Sequence, residues 1–215
     1  GLRTNEGDGR YKASIKHTGG LDRPWSTALD YSKVSDFEYF DDLGNFSGDD
    51  TSPTHLVQRA SVAYKTQNWH YGMDTLDHQL IVQGLNGQYE ILPRFTADGY
   101  YRFDNNLALN LDHEYSLFDR DDDPSYATGS RSRIDYSLSW ANEWAWGYIT
   151  PKISLRHRAY DLDLNSSAFI DDSPSVTVPV YSLDGGLFLE RDNNRLGDLT
   201  QTLEPRLYYV NAGFK

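Results

Sequence analysis

Cysteine is absent from the 215 residues, so disulfides give no indication of the compartment in which the chain folds. Long apolar runs are absent too: mean hydropathy is −0.67, and no run approaches the ~20 residues of a membrane-spanning helix. The chain also lacks a basic balance, because its formal net charge is −12, which argues against nucleic acid as a partner. The opening GLRTNEGDGR lacks the basic and apolar regions of a signal peptide, so we expect a section of a longer protein.

Aromatic residues, by contrast, are abundant, with 16 tyrosines and 5 tryptophans. This composition suits amphipathic strands better than a thick soluble core. The clearest strand pattern is NLALNLDHEYSLF (106–118), where leucines alternate with polar residues. RSRIDYSLSW (131–140) and WGYITPKISLRHRAY (146–160) alternate in the same way. We therefore predict an all-β protein with about ten antiparallel strands.

Loop lengths favour one all-β architecture over others. Long acidic loops are predicted at 37–55, 118–130 and 161–175, with short connections such as 103–106 and 141–144 between them. Long loops at one end and short turns at the other are typical of transmembrane β-barrels. Aromatic residues gather at strand ends, as an interfacial girdle requires. We expect residues 1–215 to form one partial barrel domain, an open sheet with two edges.

The alternation assigns each residue to one of two faces. Charges at mid-strand are costly inside a sandwich but not in a water-filled lumen. The predicted lipid-facing residues are Leu107, Leu109, Leu111, Ile134, Leu138, Ile153, Leu155, Leu203 and Leu207. The predicted lumen-facing residues are Arg94, Arg131, Arg133, Lys152, Arg156, Arg158, Glu204 and Arg206. A plainer interpretation is that these charges pair with Asp112, Glu114 and Asp135 and only line a wet wall.

Prolines are predicted to interrupt four strands: Pro93, Pro151, Pro179 and Pro205. Proline donates no ladder hydrogen bond, so the sheet should be weakened or bulged at each of them. In QTLEPRLYYV (201–210) we expect one strand with Glu204 and Arg206 in the lumen. The expected cross-strand partner of Glu204 and Arg206 is whichever of Glu190 and Arg191 faces the lumen.

Catalytic, metal and cofactor sites are not predicted. His70, Asp74, Asp77 and His78 form a candidate metal cluster, but Asp77 falls in the opposite phase from the other three. The carboxylate-rich stretch 41–50 lacks the alternating ligands of a calcium loop. No nucleophile motif, phosphate-binding loop or dinucleotide fingerprint appears.

Two motifs make the chain similar to a known family. SLDGGLFLERDNNRLGDLTQTLEPRLYYV (182–210) resembles the most characteristic stretch of the LptD family of outer-membrane lipopolysaccharide-assembly proteins. LDYSKVSDFEYFDDLG (29–44) resembles an upstream strand and loop of the same family. LPRFTADGYY and SLRHRAYDL lie between them in the expected order. The resemblance runs from about Ser26 to Tyr209, and the chain departs from it at VNAGFK (210–215).

The resemblance implies a function and a set of partners. Lipopolysaccharide would pass into the outer leaflet of the bacterial outer membrane, with its sugar crossing the lumen and no bond made or broken. Implied partners are an LptE-type plug lipoprotein, an LptA-type periplasmic bridge acting through a jelly roll that this chain lacks, outer-membrane lipid, and the barrel-assembly machinery during folding. The eight lumen-facing residues are the candidates for plug or sugar contact. A soluble or secreted carbohydrate-binding β-sandwich and a simple diffusion porin remain alternatives.

Overall fold

The computed structural model describes residues 9–20, 22–40, 54–82, 87–120, 126–163, 171–193 and 199–213. Strands account for nearly all of the regular structure in these ranges. They are β1 Lys12–Gly19, β2 Trp25–Val34, β3 His55–Lys65, β4 Trp69–Leu80, β5 Glu90–Arg102, β6 Leu107–Asp119, β7 Thr128–Trp140, β8 Asn142–Trp144, β9 Gly147–Asp163, β10 Ser175–Leu187, β11 Leu189–Asn193, β12 Leu199–Leu203 and β13 Arg206–Ala212. In the same ranges, no helix has the length and apolar character needed to span a membrane.

One antiparallel sheet dominates the fold. Its order is β1-β2-β3-β4-β5-β6-β7-β9-β10-β13, with β8 pairing at the start of β9, while β11 and β12 form a separate two-stranded sheet. Consecutive strands are neighbours, as in an up-and-down barrel wall. Within the described residues β1 and β13 each have one neighbour, so the sheet is not closed. The predicted fold class, an antiparallel β-barrel segment of about ten strands, is confirmed.

The two ends of the sheet differ as predicted. Because the strands are antiparallel and sequential, the connections that contain the three long acidic segments all leave the same end. At the opposite end, turns such as 66–68 and 103–106 join the strands. The connection from β10 to β13 is an addition that the sequence did not suggest, because it leaves the short-turn end and contains the β11–β12 hairpin.

The register gives the sheet two chemically distinct faces. Leu109, Leu138 and Ile153 are cross-strand partners on one face, which we call the outer face. Asp112, Asp135 and Arg156 are partners on the opposite, inner face. Eight of the nine predicted lipid-facing residues share the outer face: Leu107, Leu109, Leu111, Ile134, Leu138, Ile153, Leu155 and Leu207. No second layer of the described chain covers them, since Ile153 is 55% exposed and Leu207 67% exposed.

Polar side chains on the outer face form hydrogen bonds within the sheet. The Nδ1–H group of His113 donates to the carbonyl oxygen of Ala97 at 3.2 Å, which leaves Nε2 to accept from the Tyr136 hydroxyl at 2.6 Å. The indole N–H of Trp69 donates to the Tyr101 hydroxyl at 2.7 Å. Internal pairing of this kind is what a hydrocarbon environment demands, because no water is present to replace a missing partner.

All five tryptophans lie at the short-turn end of the sheet. Trp25 and Trp69 begin β2 and β4, Trp140 and Trp144 end β7 and β8, and Trp146 lies in the turn before β9. The rings of Trp144 and Trp146 stack with centroids 5.2 Å apart. Such a band at one level is the arrangement expected where strands leave the hydrocarbon for the headgroup region.

The prolines behave differently from one another. Pro93 lies where the β5–β6 register shifts between Ile91 and Arg94, so the predicted irregularity is present there. The prediction of an interrupted strand was wrong at Pro151 and Pro179, because both lie inside a continuous β9–β10 register. The carbonyl oxygen of Pro179 accepts a hydrogen bond from the Gly213 N–H. In an antiparallel ladder the N–H and C=O of one residue point to the same neighbouring strand, so the donor that proline lacks would have faced β13 and not β9. The β9–β10 ladder therefore loses no hydrogen bond at Pro179.

The stretch QTLEPRLYYV is not one strand. It divides at Glu204 and Pro205 into β12, which pairs with β11, and β13, which pairs with β10. Leu203 therefore lies on the separate hairpin, opposite Leu189, and not on the outer face of the main sheet as predicted. Glu204 lies in neither strand, which corrects its assignment to a lumen-facing strand position.

A small buried core lies at the long-loop end of β2, β3 and β4. It consists of Val34, Phe40, Leu56 and Ile81, all under one-tenth exposed. Beyond Tyr31 the β2–β3 ladder ends, and the side-chain amide of Gln79 replaces it by accepting from the Val34 N–H at 2.9 Å and donating to its carbonyl at 2.8 Å. This core anchors the rim of the sheet.

Candidate functional site: the charged inner face

The candidate site is the inner face of the main sheet, where charged side chains meet across strands. Strand alternation places them there: on β7 and β9, each residue between two outer-face residues points to the opposite side. Seven of the eight predicted lumen-facing residues occupy this face: Arg94, Arg131, Arg133, Lys152, Arg156, Arg158 and Arg206. Glu204 is the exception.

Arg94 is held by a carboxylate on the preceding strand. Its Nε and Nη2 donate to the two carboxylate oxygens of Asp74 at 2.9 and 2.8 Å. The two residues are direct register partners between β4 and β5, next to the irregularity at Pro93. A two-pronged pair of this type fixes orientation as well as charge, so it marks the register where the ladder is disturbed.

Glu114 on β6 is the centre of a second cluster. Its Oε1 accepts from Arg131 Nη2 at 2.5 Å and from the hydroxyl of Ser116 at 3.1 Å. Its other oxygen lies 3.8 Å from Nε of Arg133, its register partner. The Glu114 side chain is 9% exposed and Ser116 is fully buried. One carboxylate therefore balances two guanidinium groups from the neighbouring strand.

Asp135 extends the network to β9. Its two oxygens accept from Nη1 and Nη2 of Arg158 at 2.9 and 2.8 Å, and Nε of Arg133 lies 3.8 Å away. Arg158 Nη1 also donates to the carbonyl oxygen of His157 at 2.8 Å. Three adjacent strands, β6, β7 and β9, are thus connected by one continuous ionic network.

Arg206 makes a separate pair at the short-turn end. Its Nε and Nη2 donate to the carboxylate of Asp184 on β10 at 2.8 and 2.5 Å, and the Tyr148 hydroxyl donates to the same carboxylate at 3.2 Å. The prediction that Arg206 pairs with Glu190 or Arg191 was wrong, because those residues belong to the β11–β12 hairpin. Arg191 donates instead to the side chain of Gln201 at 3.1 Å.

Three aspartates form a row across the inner face. Asp98 on β5 is the register partner of Asp112, which is the partner of Asp135. Within the described residues Asp112 takes part in no ion pair, and no group of three histidine or acidic side chains is arranged to hold a metal ion. Among the candidate metal ligands, Asp74 already accepts hydrogen bonds from Arg94. The carboxylate-rich stretch 41–50 lies outside the described residues.

The sequence pattern does not predict the role of two carboxylates on this face. It indicates Asp74 only as a possible metal ligand, and it does not indicate Asp184. Strand alternation is the pattern that indicates their face: Asp184 lies two positions from Ser182 and opposite Thr150, so it belongs to the inner face. Phase shows that such a residue shares a face with arginines, but the pairing itself requires the register.

The comparisons with known proteins agree with this architecture. The family model for LPS transport system D, LptD, matches residues 8–213.

The chain belongs to the LptD family.

Several LPS-assembly proteins LptD are similar to it along almost its whole length. The protein from Alkalilimnicola ehrlichii is 36% identical over 207 residues, covering 94% of this chain and 27% of the relative. The protein from Hahella chejuensis is 35% identical, covering 86% of this chain and 24% of the relative. The protein from Saccharophagus degradans is 30% identical, covering 97% and 25%. The chain therefore spans about a quarter of the length of these LptD relatives.

Proposed function

We propose that this LptD section is part of the wall of an outer-membrane barrel that carries lipopolysaccharide to the outer leaflet. In this arrangement the inner face lines the watery passage through which the sugar moves, and the outer face contacts membrane lipid. The single observation that carries the proposal is the two-faced register, with ion pairs on one side and bare leucine and isoleucine on the other. The names of the relatives, LPS-assembly protein LptD, support the substrate.

The energetics favour a membrane wall over the alternatives. A soluble sandwich would cover its apolar face with a second sheet, since a large exposed apolar patch in water promotes association. In the described chain that face is open, with Leu138 and Leu155 each 42% exposed. A simple diffusion porin would explain the two faces, but membership of the LptD family does not favour it.

The proposed transport role requires protein partners but no catalytic residue. An LptE-type plug lipoprotein would contact the inner face, an LptA-type bridge would deliver substrate through another part of the protein, and the barrel-assembly machinery would insert the strands. Transport breaks no bond, so the proposal assigns no catalytic residue and no cofactor. The guanidinium groups suit these roles because they match the geometry of phosphate and carboxylate.

Photo-crosslinking in living cells tests the proposal. A photoreactive amino acid is placed at Ser137 or Ser154 on the inner face, and at Leu138 or Ile153 on the outer face, within a full-length LptD that carries this section. The inner positions should capture the plug or the sugar part of lipopolysaccharide, and the outer positions should capture at most its acyl chains. Sugar or plug captured equally from both faces would contradict the assignment of the passage to the inner face.

A further inference from the structure

The inner face at the β13 end of the sheet is strongly positive, although the chain as a whole carries −12. Its strands β7, β9, β10 and β13 place six cationic side chains there against two carboxylates. The cations are Arg131, Arg133, Lys152, Arg156, Arg158 and Arg206, and the carboxylates are Asp135 and Asp184. Most of the acidic excess therefore lies elsewhere, including the long loops.

Four of these six cations are already engaged. Arg131 and Arg158 bind Glu114 and Asp135, Arg206 binds Asp184, and Arg133 lies 3.8 Å from two carboxylates. Lys152 and Arg156 differ from them. Both are exposed, and neither makes an ion pair or hydrogen bond with any part of the chain that the structure describes.

The two unpaired cations form a patch with hydroxyl groups. They are four positions apart on β9, which separates their backbones by about 13 Å, and Ser154 lies between them on the same face. Ser137 is the register partner of Ser154, and Ser139 and Ser182 flank Lys152 from the strands on either side. Serine hydroxyls both donate and accept hydrogen bonds, as sugar recognition requires.

Nearby carboxylates do not neutralise this patch. Asp135 is the register partner of Arg156, yet both of its oxygens bind Arg158. Asp184 lies opposite Thr150, two positions from Lys152, and both of its oxygens bind Arg206. An ammonium and a guanidinium group are thus left to attract an anion from solution.

We propose that Lys152 and Arg156, with Ser137 and Ser154 between them, form a binding site for a phosphorylated saccharide. The inference rests on the proposed function, because it takes the inner face to be the path of the sugar. Arg156 would donate two hydrogen bonds to one phosphate, Lys152 would act as a point charge toward a second anionic group, and the serines would bind sugar hydroxyls. The paired arginines form the fixed wall around this site.

Crosslinking with purified components tests the site. Full-length LptD carrying this section and a photoreactive residue at Ser182 is purified with its plug in detergent and mixed with lipopolysaccharide that is phosphorylated or enzymatically dephosphorylated. The variants are Lys152→Gln, Arg156→Gln and their combination. The matched control is Arg59→Gln, which removes an exposed inner-face cation from β3, outside the patch. Because Lys152 and Arg156 have no ion-pair or hydrogen-bond partner among the described residues, folding should be unchanged, and heat-modifiable gel migration checks this.

The phosphorylated probe should crosslink well, and the double variant should reduce its apparent affinity about tenfold at low salt, since each screened charge contact is worth a few-fold. Dephosphorylation should cause a similar loss in the unmodified protein, while Arg59→Gln should have no effect. Equal capture of both probes, or full capture by the double variant, overturns the phosphate site but leaves the passage intact. Absence of crosslinks at Ser182, Ser137 and Ser154 alike would instead refute the proposed passage.

Discussion

Glu114 is the inner-face carboxylate whose removal should be most costly. It accepts from Arg131 at 2.5 Å, faces Arg133 at 3.8 Å, and its side chain is 9% exposed. Glu114→Ala leaves Arg131 without its carboxylate and leaves Arg133 with only Asp135, 3.8 Å away. It also leaves the hydroxyl of the fully buried Ser116 without its acceptor. We therefore expect the variant to destabilise the barrel that contains this section.

The magnitude follows from the exposure of the partners. An exposed ion pair contributes at most ~1 kcal/mol, whereas removing one partner of a fully buried pair costs about 3–5 kcal/mol. The side chains of Arg131 and Arg133 are 33% and 39% exposed, so this cluster lies between those limits. Glu114→Ala should lower the free energy of unfolding by about 2 kcal/mol.

Urea unfolding of the full-length barrel in lipid vesicles, followed by tryptophan fluorescence, measures this loss. Combining Glu114→Ala with Arg131→Ala in a double-mutant cycle should give a coupling energy of about 1 kcal/mol. Glu143→Ala is the control, because Glu143 lies exposed on β8. A coupling energy near zero, or an equal loss from Glu143→Ala, would show that the carboxylate does not stabilise the two arginines.

Three further predictions concern facing, the pair on β13 and backbone conformation. Ile153→Arg should cost about 2–4 kcal/mol in the same unfolding assay, while Ser154→Arg on the inner face should cost much less, and equal costs would contradict the two-faced geometry. Arg206→Ala should slow barrel maturation or weaken plug association, as followed by pulse-chase and co-purification, while β13 stays in place because an exposed ion pair contributes little to stability; normal rates would leave Arg206 as wall lining. Gly129→Ala should destabilise the barrel by about 2 kcal/mol, because its φ is +133° and an added Cβ would clash with the Asp161 carbonyl oxygen; unchanged stability would show that the backbone there relaxes freely.

Most of the strands, their two faces and the asymmetry of the loops follow from the amino-acid pattern alone. Side-chain direction alternates with a period of two along any extended strand, whatever its neighbours are. Leu109 and Asp112 could therefore be assigned to opposite faces before any pairing was known. The same periodicity brought seven of eight charged candidates to one face. It failed at Glu204, where the strand itself ends.

Which charges pair with one another among the described residues follows from the three-dimensional arrangement of the strands and not from their pattern. Arg94 binds a carboxylate 20 positions away and Arg206 one 22 positions away. Those partners depend on register, which is set by turn geometry and by pairing along the whole strand. The position of Pro179 inside a strand also depends on register. Proline lacks a backbone N–H donor, and the register decides which neighbouring strand that donor would have bonded. Lys152 and Arg156 have the same strand phase as Arg158. They differ from it because Asp135, although its register partner is Arg156, binds Arg158 diagonally across the two strands.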